Sequence, residues 1–373
     1  MPCYEYPPLG GGGSRVVDGL SRELVRQGHE VDVVTMAFRD LPRHEVVEGV
    51  HVHRVACIRL KEHLCTMPEA LTYLPGAHRK IRELVGLHDY DIDHTHFILP
   101  DGWNAARVQR ATGLPYVITA HGSDVPGFNP DRLRIAHRAL APVWHRITRG
   151  AAMLVCPSRS IHELVVRRNA GLPTTIIPYG FEVGRYAWES PRDKRILVVT
   201  RLLKRKGVRY LLEALANRRI DHEVHIVGDG PELPELRRLA AGTPTRVVFH
   251  GWLDNRSEAL TRLYESSSIF VLPSEVENFP VALMEAMAAG LAIVTTGDTG
   301  CHEVVGEAAR LVAPRSAEEI GRAVAELTAS PARCRELGRA ARLRIERELS
   351  WPVVAERYLE VYRHAKIGSA RPS

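Results

Sequence analysis

Aromatic residues make up only 6% of the chain, and no recognisable nucleic-acid-binding motif gathers its positive charge into a patch. Nucleic acid is therefore not an expected partner. No apolar run approaches the ~18 residues that a membrane-spanning helix needs, and the opening MPCYEYPPL lacks the basic and apolar regions of a secretory signal. The expected location is the cytoplasm. Six cysteines are scattered without a single C-x-x-C pair, which argues against a disulfide framework and a zinc site alike. No internal repeat is visible, and low complexity is confined to the glycine run 10–13 and the tail GSARPS.

What is present is ordinary for a globular protein of two domains: 373 residues, 45% hydrophobic and 25% charged. The net charge of +6 permits anionic partners such as sugar nucleotides or acidic lipid. Segments 30–35, 50–55, 91–97, 115–120, 151–157 and 174–178 read as buried strands separated by helical periodicity, and that alternation implies a parallel sheet. A turn-rich stretch, PYGFEVGRY, then marks a boundary near 180–189. A second alternation follows, with strands at 195–200, 224–227, 247–249, 269–272 and 292–296, and closing helices over 316–365. The chain divides accordingly into 1–180, 181–350 and a terminal helix with its tail, 351–373. Asp91 with Asp93 and His94 with His96 form D-x-D and H-x-H pairs, but alternate residues simply share one strand face, and no further ligand cluster joins them. No metal site is expected.

The richest chemistry lies in residues 273–291, PSEVENFPVALMEAMAAGL. An apolar strand at 269–272 runs into a loop carrying Glu275, Glu277 and Asn278. Pro280 suits a first helical turn, 281–289 are mostly strong helix formers, and Gly290 is placed to close the helix. The helix start, around Phe279 and Val281, offers unpaired N–H groups and a partial positive charge, which suits a phosphate. Glu285 lies about one and a half turns inside and leans back towards the same end as Glu277. Embedded in an apolar run, its charge needs a partner, and polyol hydroxyls would serve.

Glu277 and Glu285, with seven residues between them in PSEVENFPVALMEAMAAG, resemble the signature of the retaining glycosyltransferases of family 4. That resemblance implies an α/β GT-B fold: two Rossmann-like domains facing each other across a cleft, the first binding an acceptor and the second a nucleotide sugar. Glu285 would then hold ribose hydroxyls and Glu277 the donor sugar, with Asn278, Phe279 and Val281 at the diphosphate. The rest of the chain is similar to the family at matching places. The run GGGGS, with Gly12 and Gly13, does not fit G-x-G-x-x-G and alone reads equally as a flexible turn or a phosphate loop. It resembles the family's glycine loop, where donor phosphate and acceptor meet. Only residues 1–3 stand where the family has a complete first strand, so a shortened strand is expected.

The segment HGSD resembles the family's sugar-facing motif, which implies that His121 contacts the transferred sugar and that Asp124 orients it or marks the acceptor pocket. In TRLLKRKG, a basic turn by itself, the spacing of Arg201 and Lys206 resembles the family's diphosphate-binding pair. GDGPE and HGWL look like landmarks beside the nucleotide base, with Gly251 among the contacts. In GDTGCHEVV, Thr299 stands where the family commonly has glycine. SWPVVAERYLEVY resembles the terminal helix that returns to the first domain.

These likenesses imply transfer from a UDP- or GDP-sugar to a glycan or lipid-linked acceptor in cell-surface polysaccharide or glycolipid synthesis. Cationic side chains take the place of a metal, and no cofactor beyond the donor is needed. The basic segment 132–149 reads either as a peripheral contact with anionic membrane or as a helix packed on the sheet. Two other classes share the architecture: a sugar-nucleotide epimerase or hydrolase, and a non-catalytic scaffold.

Overall fold

Strands rich in valine and isoleucine assemble into parallel sheets covered on both faces by helices, as buried parallel strands require. The structure, a computed structural model, describes every residue except 63, 129–134, 136, 217 and 370–373. Two units divide the chain: Met1–Gly180 together with Trp351–Ser373, and Phe181–Ser350.

The second unit is the simpler. Its strands are β8 (Arg195–Val199), β9 (Glu223–Val227), β10 (Val247–Gly251), β11 (Ile269–Leu272), β12 (Ala292–Thr296) and β13 (Arg310–Val312), in the order β10-β9-β8-β11-β12-β13 and all parallel. The chain begins at the sheet's middle, winds outward through β9 and β10, then restarts at β11 on the other side of β8. Where the winding reverses, helices leave opposite faces and a crevice opens at the carboxyl ends of β8 and β11. Ile196, Leu211, Ile269, Val294 and Ile320 lie in its core.

In the first unit, β1 (Asp32–Met36), β2 (His44–Val47) and β3 (Val50–Val55) form one sheet in the order β1-β3-β2. A second sheet runs β4 (Asp93–His96), β5 (Tyr116–Thr119), β6 (Met153–Cys156), β7 (Thr174–Ile176). Residues 1–3 lie between them. The Cys3 amide donates to the Val34 carbonyl at 3.0 Å, the Val34 amide to that of Met1 at 3.2 Å, and the His96 amide to that of Pro2 at 3.1 Å. The short opening segment thus pairs on both sides and reproduces the winding of the second unit, with its reversal between residues 1–3 and β4. Tyr116, Ile118 and Trp144 fill one part of the core, and Val34, Met36 and Tyr73 another. The helix Trp351–Ser369 lies against the helix Gly12–Arg26, where its Trp351 indole occupies the space that a Cβ on Gly19 would need.

Several sequence expectations need correction. The first unit is not wholly parallel: β2 pairs antiparallel with β3 through Glu48 and Gly49, both at positive φ, and its exposed alternating pattern shows why an edge hairpin was overlooked. The helix Met67–Leu87 occupies the helical stretch between 50–55 and 91–97, and Thr66 and Glu69 form a capping box at its start. Pro280 is the N-cap of the helix Val281–Ala288, in extended conformation, and not part of its first turn. Within the basic segment Pro142 stands in the first turn of the helix Ala141–Gly150, with Trp144 and Ile147 turned inward. Residues 132–134 and 136 of that basic segment, and the tail from 370, lie outside the described residues.

Candidate active site

The crevice of the second unit gathers the acids and cations singled out from the sequence. Lys206 follows β8 in a short 3-10 turn, Lys204–Lys206, and its Nζ donates to Oε1 of Glu277 at 2.5 Å. Both side chains are nearly enclosed, at 13% and 11% exposure, so solvent screens the pair weakly. Gly207 makes the approach possible. It sits at φ +68°, and a Cβ there would lie 2.0 Å from the carbonyl oxygen of Pro273 at the end of β11. Arg201, at the end of β8, is exposed and has no side-chain partner among the described residues.

Beyond Glu277 the loop carries Asn278 and the buried Phe279 to the helix Val281–Ala288. The N-cap, Pro280, makes no side-chain cap bond, so the partial positive charge near Val281 is directed into the loop. The loop is held from the other side by Gly300, whose amide donates to the Glu277 carbonyl at 3.1 Å. Thr299, at the position where glycine was expected, caps the helix Gly300–Val305 by accepting the Cys301 amide at 3.1 Å. The close backbone contact is made one residue later, by Gly300. Gly251 ends β10 at φ +70° with open space around it.

Glu285 is 3% exposed. Where a polyol was expected to serve, the chain itself supplies partners: the Tyr264 hydroxyl donates to Oε2 at 2.9 Å, and Arg185 lies 3.4 Å from Oε1. Burial, and then the Glu285 charge, hold the Tyr264 hydroxyl well above its usual range, so it stays protonated and donates. Neither partner was identified from the sequence.

In the first unit, His121 and Asp124 follow β5 at the carboxyl edge of the sheet. Asp124 is buried, and its two oxygens accept the amides of Ile98 at 2.8 Å and His121 at 2.9 Å. The half-buried His121 ring is held at both nitrogens, Nε2 by His96 Nδ1 at 3.1 Å and Nδ1 by the Tyr179 hydroxyl at 3.0 Å. Phe97, at φ +72°, places its ring 4.3 Å from the imidazole, a strained backbone of the kind that marks functional sites. Gly13 faces Phe97 and His121, while Gly12 opens the helix Gly12–Arg26 with nothing within 4 Å of a Cβ built on it.

The His94 and His96 rings lie on one face of β4, with His94 bonded to Thr119 at 2.8 Å and Tyr362 at 2.6 Å. Asp91, at the surface, pairs with Lys366. Among the described residues, no group of three or more His, Cys, Asp or Glu side chains is arranged to hold a metal ion. No helix among them is long and apolar enough to cross a membrane.

Residues 10–185 match Glycosyltransferase Family 4, and residues 193–330 match Glycosyl transferases group 1. The chain belongs to the family 4 glycosyltransferases. Phosphatidyl-myo-inositol mannosyltransferase of Mycolicibacterium smegmatis is 29% identical over 97% of this chain and 92% of its own. Sucrose-phosphate synthase of Thermosynechococcus elongatus, a solved structure, superposes with a TM-score of 0.77 at 22% identity, covering 96% of this chain and 94% of its own. The Anabaena protein HepE, solved with UDP-glucose, gives 0.72 at 16% identity, covering 97% and 98%. The fold is GT-B, and the enzyme is a glycosyltransferase.

In this glycosyltransferase, burial raises the Asp124 carboxyl to about 6 and lowers His121 to about 3. The carboxylate form suits two backbone donors, whereas a protonated Asp124 gives up part of its acceptor capacity and loosens the turn. Turnover is therefore expected to rise with pH through about 6 as Asp124 ionises, while His121 stays neutral and adds no limb between pH 4 and 8. Rate profiles of wild type and Asp124→Asn check this. The limb should vanish in the variant, and its persistence would assign it to another group.

Proposed function

We propose that this glycosyltransferase moves a sugar, with retention of configuration and without a metal, from a UDP- or GDP-sugar to a glycan or lipid-linked acceptor. The observation that carries this reading is the Lys206–Glu277 pair, 2.5 Å apart beside an uncapped helix start. Cations and a helix dipole fixed at that point favour the charge that develops on a departing diphosphate, which is the work a metal does elsewhere. Arg201 adds a charge with no side-chain partner among the described residues. Glu277 directs Lys206 and accepts hydrogen bonds from the donor sugar. Glu285, oriented by Tyr264 and Arg185, holds the ribose hydroxyls, and Asn278, Phe279 and Val281 surround the diphosphate, with Gly251 beside the base.

The first unit takes the acceptor. Gly12 leaves room for it, Gly13 lets the loop pass close to Phe97 and His121, and His121, with its turn fixed by Asp124, faces the transferred sugar. Retention follows from same-face attack, in which the leaving phosphate oxygen accepts the acceptor proton as the glycosidic bond opens and the new one forms. The likeness to a phosphatidyl-myo-inositol mannosyltransferase supports a lipid-linked acceptor in glycolipid or polysaccharide synthesis, at the cytoplasmic membrane face, and the HepE complex supports a nucleotide-sugar donor.

The test is a screen of UDP-, GDP- and ADP-sugars against lipid and glycan extracts, reading nucleoside diphosphate release with and without acceptor and with chelator present. Acceptor-dependent release that survives chelation is expected. Release without acceptor would favour hydrolysis or epimerisation, and no donor consumption at all would favour a scaffold. Arg201→Ala should weaken nucleoside diphosphate binding about tenfold by calorimetry, the loss of one charge-assisted phosphate contact.

A further inference from the structure

Two buried neighbours, His96 and Tyr179, bear on what fixes the ring of His121, the proposed sugar-facing group. We infer that His96 and Tyr179 are positioning residues for His121, holding its imidazole in one orientation with the proton on Nδ1. This inference rests on the proposed sugar contact only for its effect on turnover. The tautomer itself is a property of the folded chain.

His96 is buried, and its Nε2 has no hydrogen-bond partner among the described residues. Its Nδ1 faces His121 Nε2 at 3.1 Å, so one of those two nitrogens donates and the other accepts. Burial holds both rings neutral, with the His96 ring well below the ordinary histidine range. Each ring therefore carries a single N–H. Were His121 Nε2 the donor, His96 would have to keep its own proton on Nε2, a buried N–H with nothing to receive it. Orphaned buried donors are rarer than under-used acceptors. The alternative leaves only an unused lone pair on His96 Nε2, and it is the favoured arrangement.

His96 Nδ1–H thus donates to His121 Nε2. His121 must then carry its proton on Nδ1, and the Tyr179 oxygen at 3.0 Å accepts it. His121 is stacked with both partners, at ring separations of 5.3 Å from His96 and 5.6 Å from Tyr179.

The orientation has a consequence for ligands. A Cβ built on Gly13 would lie 3.5 Å from His121 Nδ1, so the nitrogen carrying the proton is the one turned to the glycine loop. A sugar oxygen arriving there meets an N–H donor, shared with Tyr179, and no base. His121 then acts by hydrogen-bonding the sugar, and a proton-abstracting role is left to another group.

The experiment uses the full chain labelled with 15N at histidine. In wild type, the His121 pair of nitrogens should read Nδ1 protonated and Nε2 unprotonated, and the opposite assignment overturns the inference. His96→Leu removes the donor to Nε2, so the two nitrogens should move to averaged positions and kcat fall about tenfold with donor KM changed less than twofold. His96→Asn puts an amide donor near the place of Nδ1–H and should restore both tautomer and most of the turnover. Equal behaviour of the two variants would reduce His96 to a packing role and sink the proposal. Tyr179→Phe should cost about tenfold in kcat at unchanged KM, and wild-type kcat removes Tyr179 from it. If no donor is turned over by any form, the proposed function fails alone, because the nitrogen assignments still decide the tautomer.

Discussion

Lys206→Ala is expected to lower turnover about 10²–10³-fold, with nucleoside diphosphate affinity reduced far less, as read by diphosphate release and calorimetry. The asymmetry follows from where its charge sits. Arg201 is exposed, and in the proposed site it meets the nucleotide as it binds, so its loss is expected to appear in affinity. Lys206 is enclosed beside Glu277 and the uncapped start of the helix Val281–Ala288, and its charge counts most when the leaving diphosphate gains its own. The substitution has a second cost, because it strands the Glu277 carboxylate in a nearly enclosed loop without its cation.

A double-mutant cycle separates the two costs. Glu277→Gln alone keeps a hydrogen-bonding group of the same length towards the sugar, and Lys206→Ala in that background should cost less than in wild type. Strict additivity would mean that the pair does not act as a unit. Wild-type turnover in Lys206→Ala would falsify the assignment of the diphosphate site.

The sequence exposed the fold and half of the site for the same reason. Buried parallel strands are continuous apolar runs, so β11 and β12 were read to the residue, and the alternation with helices carried the parallel topology. Edge elements lacked that signal. β2 is half exposed and β13 has three residues, too few for any period to show. Among the candidate residues of the two units, Glu277, Lys206 and His121 stand out in the sequence because charged or polar residues at strand ends contrast with apolar neighbours.

Their supports were not visible. Arg185 meets Glu285 across 100 positions of sequence, and Tyr179 meets His121 across 58. No local pattern marks either residue, since a tyrosine or arginine in a turn-rich segment reads as ordinary surface. The partner of Glu285 shows the limit well. Burial of its charge was deducible from ALMEAMAAG, but sequence could not tell a protein cation from a ligand hydroxyl, and the chain supplies both Arg185 and Tyr264.

Gly300→Ala is expected to destabilise the second unit by about 3 kcal/mol and lower its melting midpoint by about 10 °C, while donor binding falls at least tenfold. A Cβ on Gly300 would lie 1.7 Å from the carbonyl oxygen of Asn278, 2.5 Å from its carbonyl carbon and 2.8 Å from the Glu277 carbonyl oxygen. All three atoms are backbone, so no rotamer change relieves the contact. Either the helix Gly300–Val305 backs away, which breaks the Gly300 amide bond to Glu277, or the loop shifts and carries the Glu277 side chain off Lys206. Both routes damage the proposed donor loop through its backbone.

Thr299→Gly is the informative companion, because it installs glycine at the place where the family commonly has it. Its φ of −138° is open to any residue, and glycine in place of a threonine N-cap costs only a few tenths of a kcal/mol. A near-wild-type Thr299→Gly beside a crippled Gly300→Ala would fix the close approach at residue 300. The reverse order would mean that the loop 297–300 sits differently when donor is bound, and that Thr299 restrains it.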